Sequence, residues 1–503
     1  MGEGLSTKSI YHWMKRNSVV LLLLLLISVG SFLRFYNLGT ESIWLDESAS
    51  IRCSSADIVS IIFNAGPTQN HPPLYFIVLH FWMQLFGNTE IAVRSLSALF
   101  GILSIFFLFR IGSILYDKKV GMIACLLLTL SSYHIYYSQE ARSYSLLLLL
   151  SLLSYLLFIK ILQNPRDRYY LFYFGAILLL GYTHLYGLLI IASQMGFLLL
   201  FWGRYRQQRV KLVITIAINI ITFIPLIYLI GRQVVDISVS GFWINEPQLI
   251  DILITLKKFT NFKTGMILLV YPFLILASYG FLTIKRIGGA YDWKRPVESL
   301  NSLIWNISFN SIEEELLLLS WLSFTIIVPF IESKLLTPIY LTRYMIGALP
   351  AFYLLVASGI GNINNKRYFY PILLMIIILS SLGLQHYYKN DVKPQWREVA
   401  AHVQDNSTNS DVIVFCADYI QHPFNYYYTG DLQEIGVDKN LTAQQIGAFL
   451  EEATSDNNRL WLVLAHGGKK SQLNSFLLER YSSSAVVQTK TFVGISLTLF
   501  DIG

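Results

Sequence analysis

The strongest constraint on this chain is a series of long apolar runs separated by short polar stretches. The first, Ser18 to Leu33, contains an unbroken leucine tract from Leu21 to Leu26. About 20 predominantly apolar residues are enough for a helix to cross a bilayer, and repeated runs of this kind have no place on a soluble surface. The 503 residues are 54% hydrophobic and 14% charged, with a mean hydropathy of +0.51, whereas soluble chains carry about a quarter charged residues. Disorder, a coiled coil and an ordinary cytosolic enzyme are excluded. Three cysteines, Cys53, Cys125 and Cys416, are too few and too scattered for a disulfide framework or a thiolate metal cage. The net charge of +7 does not point to nucleic acid, because the basic residues lie in short clusters between apolar runs. That pattern belongs to membrane topology.

The first run follows Lys8, Lys15 and Arg16 and has no small-x-small cleavage site before Arg34, which predicts a retained anchor with a cytoplasmic N-terminus. Basic clusters favour the cytoplasmic side. Threading by that rule adds spans at 94–115, 121–136, 143–159, 170–183, 187–203, 212–230, 264–284, 314–330, 344–362 and 369–385, eleven in all. Pro72 to Phe86 is apolar but short, and counting it as a span would turn Lys118 and Lys119 outward. We expect it to lie as a helix in the outer leaflet, leaving 34–93 as one long external loop with Arg94 at the mouth of the second span. The expectation is a multi-pass protein of the cell membrane with two domains: a transmembrane domain, 1–385, and an extracytoplasmic α/β domain, 386–503. In that tail the pattern predicts helices at 396–404, 443–452 and 472–481, strands at 412–416 and 460–465, and two strands over 485–500 with Gly494 near their bend.

Charges at the centre of a membrane helix cost about 2.5–3.5 kcal/mol on insertion scales, so ionisable residues gathered on one side are informative. The threading brings Asp46 and Glu47 (Trp-Leu-Asp-Glu-Ser), His71 before Pro72-Pro73, and Arg94 to the external face. It brings Glu140 and Arg142 (Tyr-Tyr-Ser-Gln-Glu-Ala-Arg-Ser-Tyr), His184 (Thr-His-Leu-Tyr-Gly) and Arg343 (Leu-Thr-Arg-Tyr) to the same face. Such a set suits a reaction between an anionic lipid and a polar acceptor. A carboxylate takes a proton from a hydroxyl while arginine or histidine neutralises a departing phosphate. Each residue alone has a plain structural reading: a helix cap for Asp46 and Glu47, a proline-led helix start at His71, interface anchors for Arg94 and Arg343, a mutual pair for Glu140 and Arg142, packing for His184. Their order and shared side make the case. A membrane transporter or polyprenyl-lipid flippase is the alternative, but it should show repeated halves and charges near the midplane, and neither is visible. A non-catalytic scaffold would have no need of Asp46.

These motifs resemble the C-type (GT-C fold) glycosyltransferases. The resemblance rests on the acidic pair in a long first loop, on His71-Pro-Pro-Leu-Tyr, and on Glu-Ile-Ala-Val-Arg-Ser-Leu-Ser-Ala-Leu-Phe-Gly at 90–101. More narrowly they are similar to the protein O-mannosyltransferases and lipid A aminoarabinose transferases. The likeness covers 18–200 and extends thinly to Arg343-Tyr344. It implies an α-helical polytopic fold and a sugar donor carried on polyprenyl phosphate. The acceptor would be a protein, lipid or polysaccharide. Asp46, ionised at neutral pH, matches the family's general base, and Glu47 would position it or bind acceptor. Attack opposite the phosphate would invert the anomeric centre with no covalent intermediate. Arg94, Arg343 and His71 would hold the donor phosphate, while Glu140, Arg142, Tyr144 and His184 would contact donor or sugar. The sequence departs from the family at His71, where relatives often carry lysine, and at Asn70, where the aminoarabinose enzymes have a glutamate implicated in metal contact. It also lacks the Asp-x-Asp of oligosaccharyltransferases. A divalent metal is left open, with Asp46, Glu140 and His184 as the residues that would bind it.

Overall fold

The computed structural model describes residues 16–65, 71–228, 231, 244–260, 270–288, 304–309, 312–438, 441, 445, 447, 450, 457–466, 473–481 and 485–502. They form two compact units. The first comprises Met1–Tyr36, Ile58–Val78 and Arg94–His386; the second comprises Asn37–Asp57, Leu79–Val93 and Tyr387–Gly503.

The first unit is a helix bundle. Among the described residues six helices are long and apolar enough to cross a membrane: Ser18–Phe35, Glu90–Leu115, Tyr144–Gln163, Ile312–Leu335, Thr342–Gly361 and Lys366–Lys389. Shorter helices cover most of the other expected spans: Asp167–Thr183, Tyr186–Leu200, Arg206–Thr222 and Val270–Phe281. Tyr144–Gln163 and Leu349–Gly361 are buried along nearly their whole length and form the centre. Ser18–Phe35 and Lys366–Lys389 are apolar yet mostly uncovered, as helices facing lipid can be.

Two expected spans come out differently. In place of one helix over 121–136 there are two, Lys118–Thr129 and Ser132–Ser138, bent by 61°. Each start has its own capping side chain: Asp117 accepts from the Val120 N–H at 2.8 Å, and Ser131 from the His134 N–H at 3.1 Å. Ser131 gives the chain a new helix start where the hydropathy alone reads as continuous. The expected span 264–284 ends as helix at Phe281. There the backbone turns into strand β1 (Leu282–Gly288), antiparallel to β2 (Ile304–Phe309), with Ile284 opposite Ile307. Tight backbone contact sets the turn between Glu90–Leu115 and Lys118–Thr129. A Cβ on Gly112 would stand 2.7 Å from the Gly121 Cα.

The second unit contains a five-stranded sheet of β3 (Asp411–Cys416), β4 (Gln433–Val437), β5 (Arg459–Ala465), β6 (Val486–Phe492) and β7 (Ile495–Asp501), in the order β4-β3-β5-β7-β6. β3 runs parallel to β4 and β5, and β7 antiparallel to β5 and β6. Alternate residues serve opposite faces, as a strand's two-residue period requires. Ile413, Phe415, Trp461, Val463, Leu497 and Leu499 pack under helix Trp396–Asn406; Val412, Val414, Leu460, Leu462 and Phe500 pack against Leu473 and Leu477. The expected helices at 396–404 and 472–481 and all four expected strands are present, with Gly494 at φ +76° in the last turn. β4 was not expected. The expected helix at 443–452 lies largely outside the described residues.

Parts of the first loop share this unit with the tail. Glu41 Oε1 accepts from the N–H groups of Val392 and Lys393 at 2.6 and 3.2 Å. The Ile43 N–H donates to Tyr427 Oη at 2.6 Å, and that hydroxyl donates to Glu90 at 3.0 Å. Arg397 bonds Glu90 at 2.6 Å and the Gly39 carbonyl at 3.1 Å. Tyr426 donates to the Asn88 carbonyl and Tyr428 lies in the sheet core. The tyrosine run is spent on this packing.

Candidate functional site

Within the helix bundle, five expected site residues converge: His71, Arg142, Tyr144, His184 and Arg343. Arg142 and His184 are almost fully buried, His71 lies just before the Leu74–Phe86 helix, and Arg343 is in the 3₁₀ turn Thr342–Ala348. Arg142 Nη2 donates to His71 Nε2 at 2.7 Å. A guanidinium has no acceptor and stays protonated, so His71 Nε2 must be bare and the neutral ring carries its proton on Nδ1. The rings of His71 and His184 are 5.3 Å apart, and Tyr344 stands 4.8 Å from His184 and 6.2 Å from His71. Tyr144 lies 6.3 Å from both His184 and Tyr344, while Arg343 packs its guanidinium 5.6 Å from the Tyr344 ring.

Hydrogen bonds brace the cluster from behind. Ser97 donates to the Arg142 carbonyl at 3.2 Å and is itself bonded to Tyr75 at 3.0 Å. Tyr133 donates to the Thr342 carbonyl at 2.7 Å and Tyr186 to the Ile339 carbonyl at 2.8 Å, pinning the segment that carries Arg343.

The Tyr186 N–H donates to His184 Nδ1 at 3.1 Å, which leaves the proton of the neutral ring on Nε2. That buried Nε2 has no hydrogen-bond partner among the described residues. Burial and the charges of Arg142 and Arg343 push the pKa of His184 down to about 3. His71 is held well below the ordinary histidine value by loss of water, then by Arg142, His184 and Arg343. The site is therefore an aromatic-walled cluster of fixed arginines with two neutral histidines, suited to an anion with a ring-shaped polar group beside it.

The remaining residues fall as follows. Arg94 is buried, one helical turn before Ser97. Glu140 is buried and its carbonyl accepts from the Arg142 N–H at 2.8 Å. Asp46 and Glu47 belong to the second unit, in the first turn of helix Leu45–Ser54. There Asp46 is half-buried, whereas Glu47 is fully buried with Oε2 3.3 Å from Lys393 Nζ. Among the described residues no three His, Cys, Asp or Glu side chains gather to bind a metal. Two lysines went unrecognised in the sequence. Lys258, on helix Leu249–Phe259, lies within electrostatic reach of Arg343; the signal was a basic pair, Lys257-Lys258, in a loop threaded outside, against the usual bias. Lys393 gave no signal, because its partner is 346 residues away.

Residues 70–229 match the family described as Dolichyl-phosphate-mannose-protein mannosyltransferase. No curated protein sequence matches the chain. Among solved structures, ArnT from Cupriavidus metallidurans in the apo state is similar at TM-score 0.59 and 13% identity, covering 95% of this chain and 97% of that one. The same protein bound to undecaprenyl phosphate gives TM-score 0.57, 13% identity and the same coverages. The Archaeoglobus fulgidus oligosaccharyltransferase AglB, in complex with an inhibitory peptide and a dolichol-phosphate, gives TM-score 0.53 and 11% identity, covering 90% of this chain and 70% of that one. The fold is that of the GT-C membrane proteins. The family match covers about a third of the chain, residues 70–229, while the likeness of fold extends over nearly all of it.

Proposed function

We propose that this multi-pass membrane protein moves a sugar from a polyprenyl-phosphate donor to an acceptor hydroxyl on the extracytoplasmic face of the cell membrane. The observation that carries the reading is the convergence of Arg142, Arg343, His71 and His184 in a tyrosine-walled site. The undecaprenyl phosphate of the similar ArnT structure and the dolichol-phosphate of AglB support the donor class. Arg142, Arg343 and Arg94 hold the donor phosphate; the Nε2–H of His184 is a ready donor to a phosphate or sugar oxygen. In the donor-free site His71 is a neutral ring that orients Arg142. Tyr144, Glu140 and the surrounding tyrosines contact the sugar.

In the reaction the acceptor oxygen bonds to the anomeric carbon as that carbon's bond to the phosphate oxygen breaks. Asp46 takes the acceptor's proton, and the arginines stabilise the polyprenyl phosphate that leaves. One displacement inverts the centre. The acceptor is a protein, lipid or polysaccharide carrying a free hydroxyl. In this reading the N-terminus is cytoplasmic and the tail extracytoplasmic.

The test uses purified full-length protein with labelled polyprenyl-phosphate sugars and a panel of hydroxyl acceptors. Wild type should transfer or hydrolyse the sugar, while Asp46→Asn should bind donor without turnover. Movement of intact lipid across vesicles with no sugar transfer would instead establish the flippase.

A further inference from the structure

We infer that Lys393, from the C-terminal part of the chain, is a positioning residue for Asp46, acting through a buried ion pair with Glu47. The inference rests on the reading of Asp46 as the general base and extends it to a residue far outside the first loop. The Lys393 and Glu47 side chains are 2% and 0% exposed, with Nζ and Oε2 3.3 Å apart. Lys393 is gripped at its backbone as well, since Glu41 accepts from its N–H and from that of Val392. Beside it, Ser42 Oγ accepts from the Arg397 N–H at 3.2 Å and donates to Glu398 at 2.9 Å. The stretch before Asp46 and the stretch around Lys393 are therefore joined by several bonds within one compact unit.

Consecutive helical residues point about 100° apart. Anchoring Glu47 inward fixes the rotation of helix Leu45–Ser54 and leaves Asp46, one residue earlier, half-buried on another bearing. A well-packed apolar pair would join the segments about as firmly as buried charges, whose desolvation offsets most of their attraction. Simple fastening thus does not explain the charges. Electrostatics does: two adjacent carboxylates oppose each other's ionisation, and the Lys393 ammonium cancels one of them. In this reading Glu47 is the carboxylate that the lysine holds, and Asp46 the one that accepts a proton.

The experiment compares wild type, Lys393→Met, Lys393→Arg, Glu47→Gln and Asp46→Asn as full-length protein, using a labelled polyprenyl-phosphate sugar. Lys393→Met should lower kcat by about ten-fold or more with little change in the donor KM, and should move the acid limb of the pH–rate profile to higher pH. Glu47→Gln, which removes the negative charge beside Asp46, should move that limb to lower pH. Lys393→Arg should recover most of the turnover. Should Lys393→Met fail to fold, the Glu47→Gln shift and the arginine rescue decide the matter. Wild-type kcat and pH profiles in both single variants, or limbs that move the same way, overturn the inference. Asp46→Asn separates the two readings: if it retains turnover, the base assignment itself fails; if it is inactive while the pair variants behave as wild type, only the role of Lys393 fails.

Discussion

Arg142 donates to a bare nitrogen of His71 across 2.7 Å, and both side chains stand within a ring of tyrosines that also holds His184. Donating to a neutral ring leaves the guanidinium charged. Arg142→Ala should weaken binding of a polyprenyl-phosphate sugar about 10- to 100-fold, the range for hydrogen bonds to charged groups. Arg142→Lys should recover little, because a lysine lacks the planar fork that meets two phosphate oxygens. Equilibrium binding of labelled donor measures both.

The two neutral histidines give donor binding a sign with pH. Each has its pKa lowered in the free site, and an anion placed between them favours the protonated ring. Binding therefore takes up protons, and affinity should rise as the pH falls from 7 towards 5. A phosphodiester donor keeps one charge throughout that range, so its own titration does not interfere. His71→Ala should flatten the dependence; an unchanged slope in that variant would remove the histidine from the site.

Stability of the ligand-free protein should run the other way. His184 has a folded pKa of about 3, below the ordinary 6.5. The unfolded chain then binds the proton first, so this contribution is whole above about pH 6.5 and declines as the pH falls towards 3, by at most about 1.4 kcal/mol per unit. Thermal unfolding in detergent across that window, with His184→Gln as control, reads the effect.

Tyr427→Phe removes one hydroxyl that serves both Ile43 and Glu90. A buried N–H is left unpaired, at a cost of about 1–3 kcal/mol. Limited proteolysis should cut the 37–57 segment faster, with little change at sites in the helix bundle.

Gly112→Ala should destabilise the bundle despite alanine's advantage of about 1 kcal/mol in a helix. The added carbon would meet backbone at 2.7 Å, which cannot rotate away, and overpacking of that kind costs about 1–3 kcal/mol. A lowered Tm in detergent checks it.

What the sequence revealed follows the range over which its signals act. Apolar runs located the helices, and the two-residue alternation in Val412–Cys416 and Leu460–Ala465 located the central strands. Local motifs also picked out His71, Arg142, His184 and Arg343, which the fold brings together. Capping chemistry was overlooked at Ser131, where a serine after a leucine run ends one helix and starts the next. The protonation of His71 was unreadable because it depends on Arg142, 71 positions away in the chain. Lys393 looked like one more charge in a polar linker. Its meaning comes from burial against Glu47, and no periodicity encodes that.

The shared core of the second unit also bears on how the protein is made. Ile43, Ala49, Ile51 and Cys53 are buried in a unit whose sheet lies wholly after residue 410. Ribosomes add about 5–20 residues per second, so the early segment waits for tens of seconds before its companions exist. During that interval its apolar side chains and the Glu47 carboxylate lie open to water, lipid and passing chaperones. Assembly of this part of the molecule must be among the last events of biogenesis, and a chain that terminates early would leave the nascent acidic helix without a home.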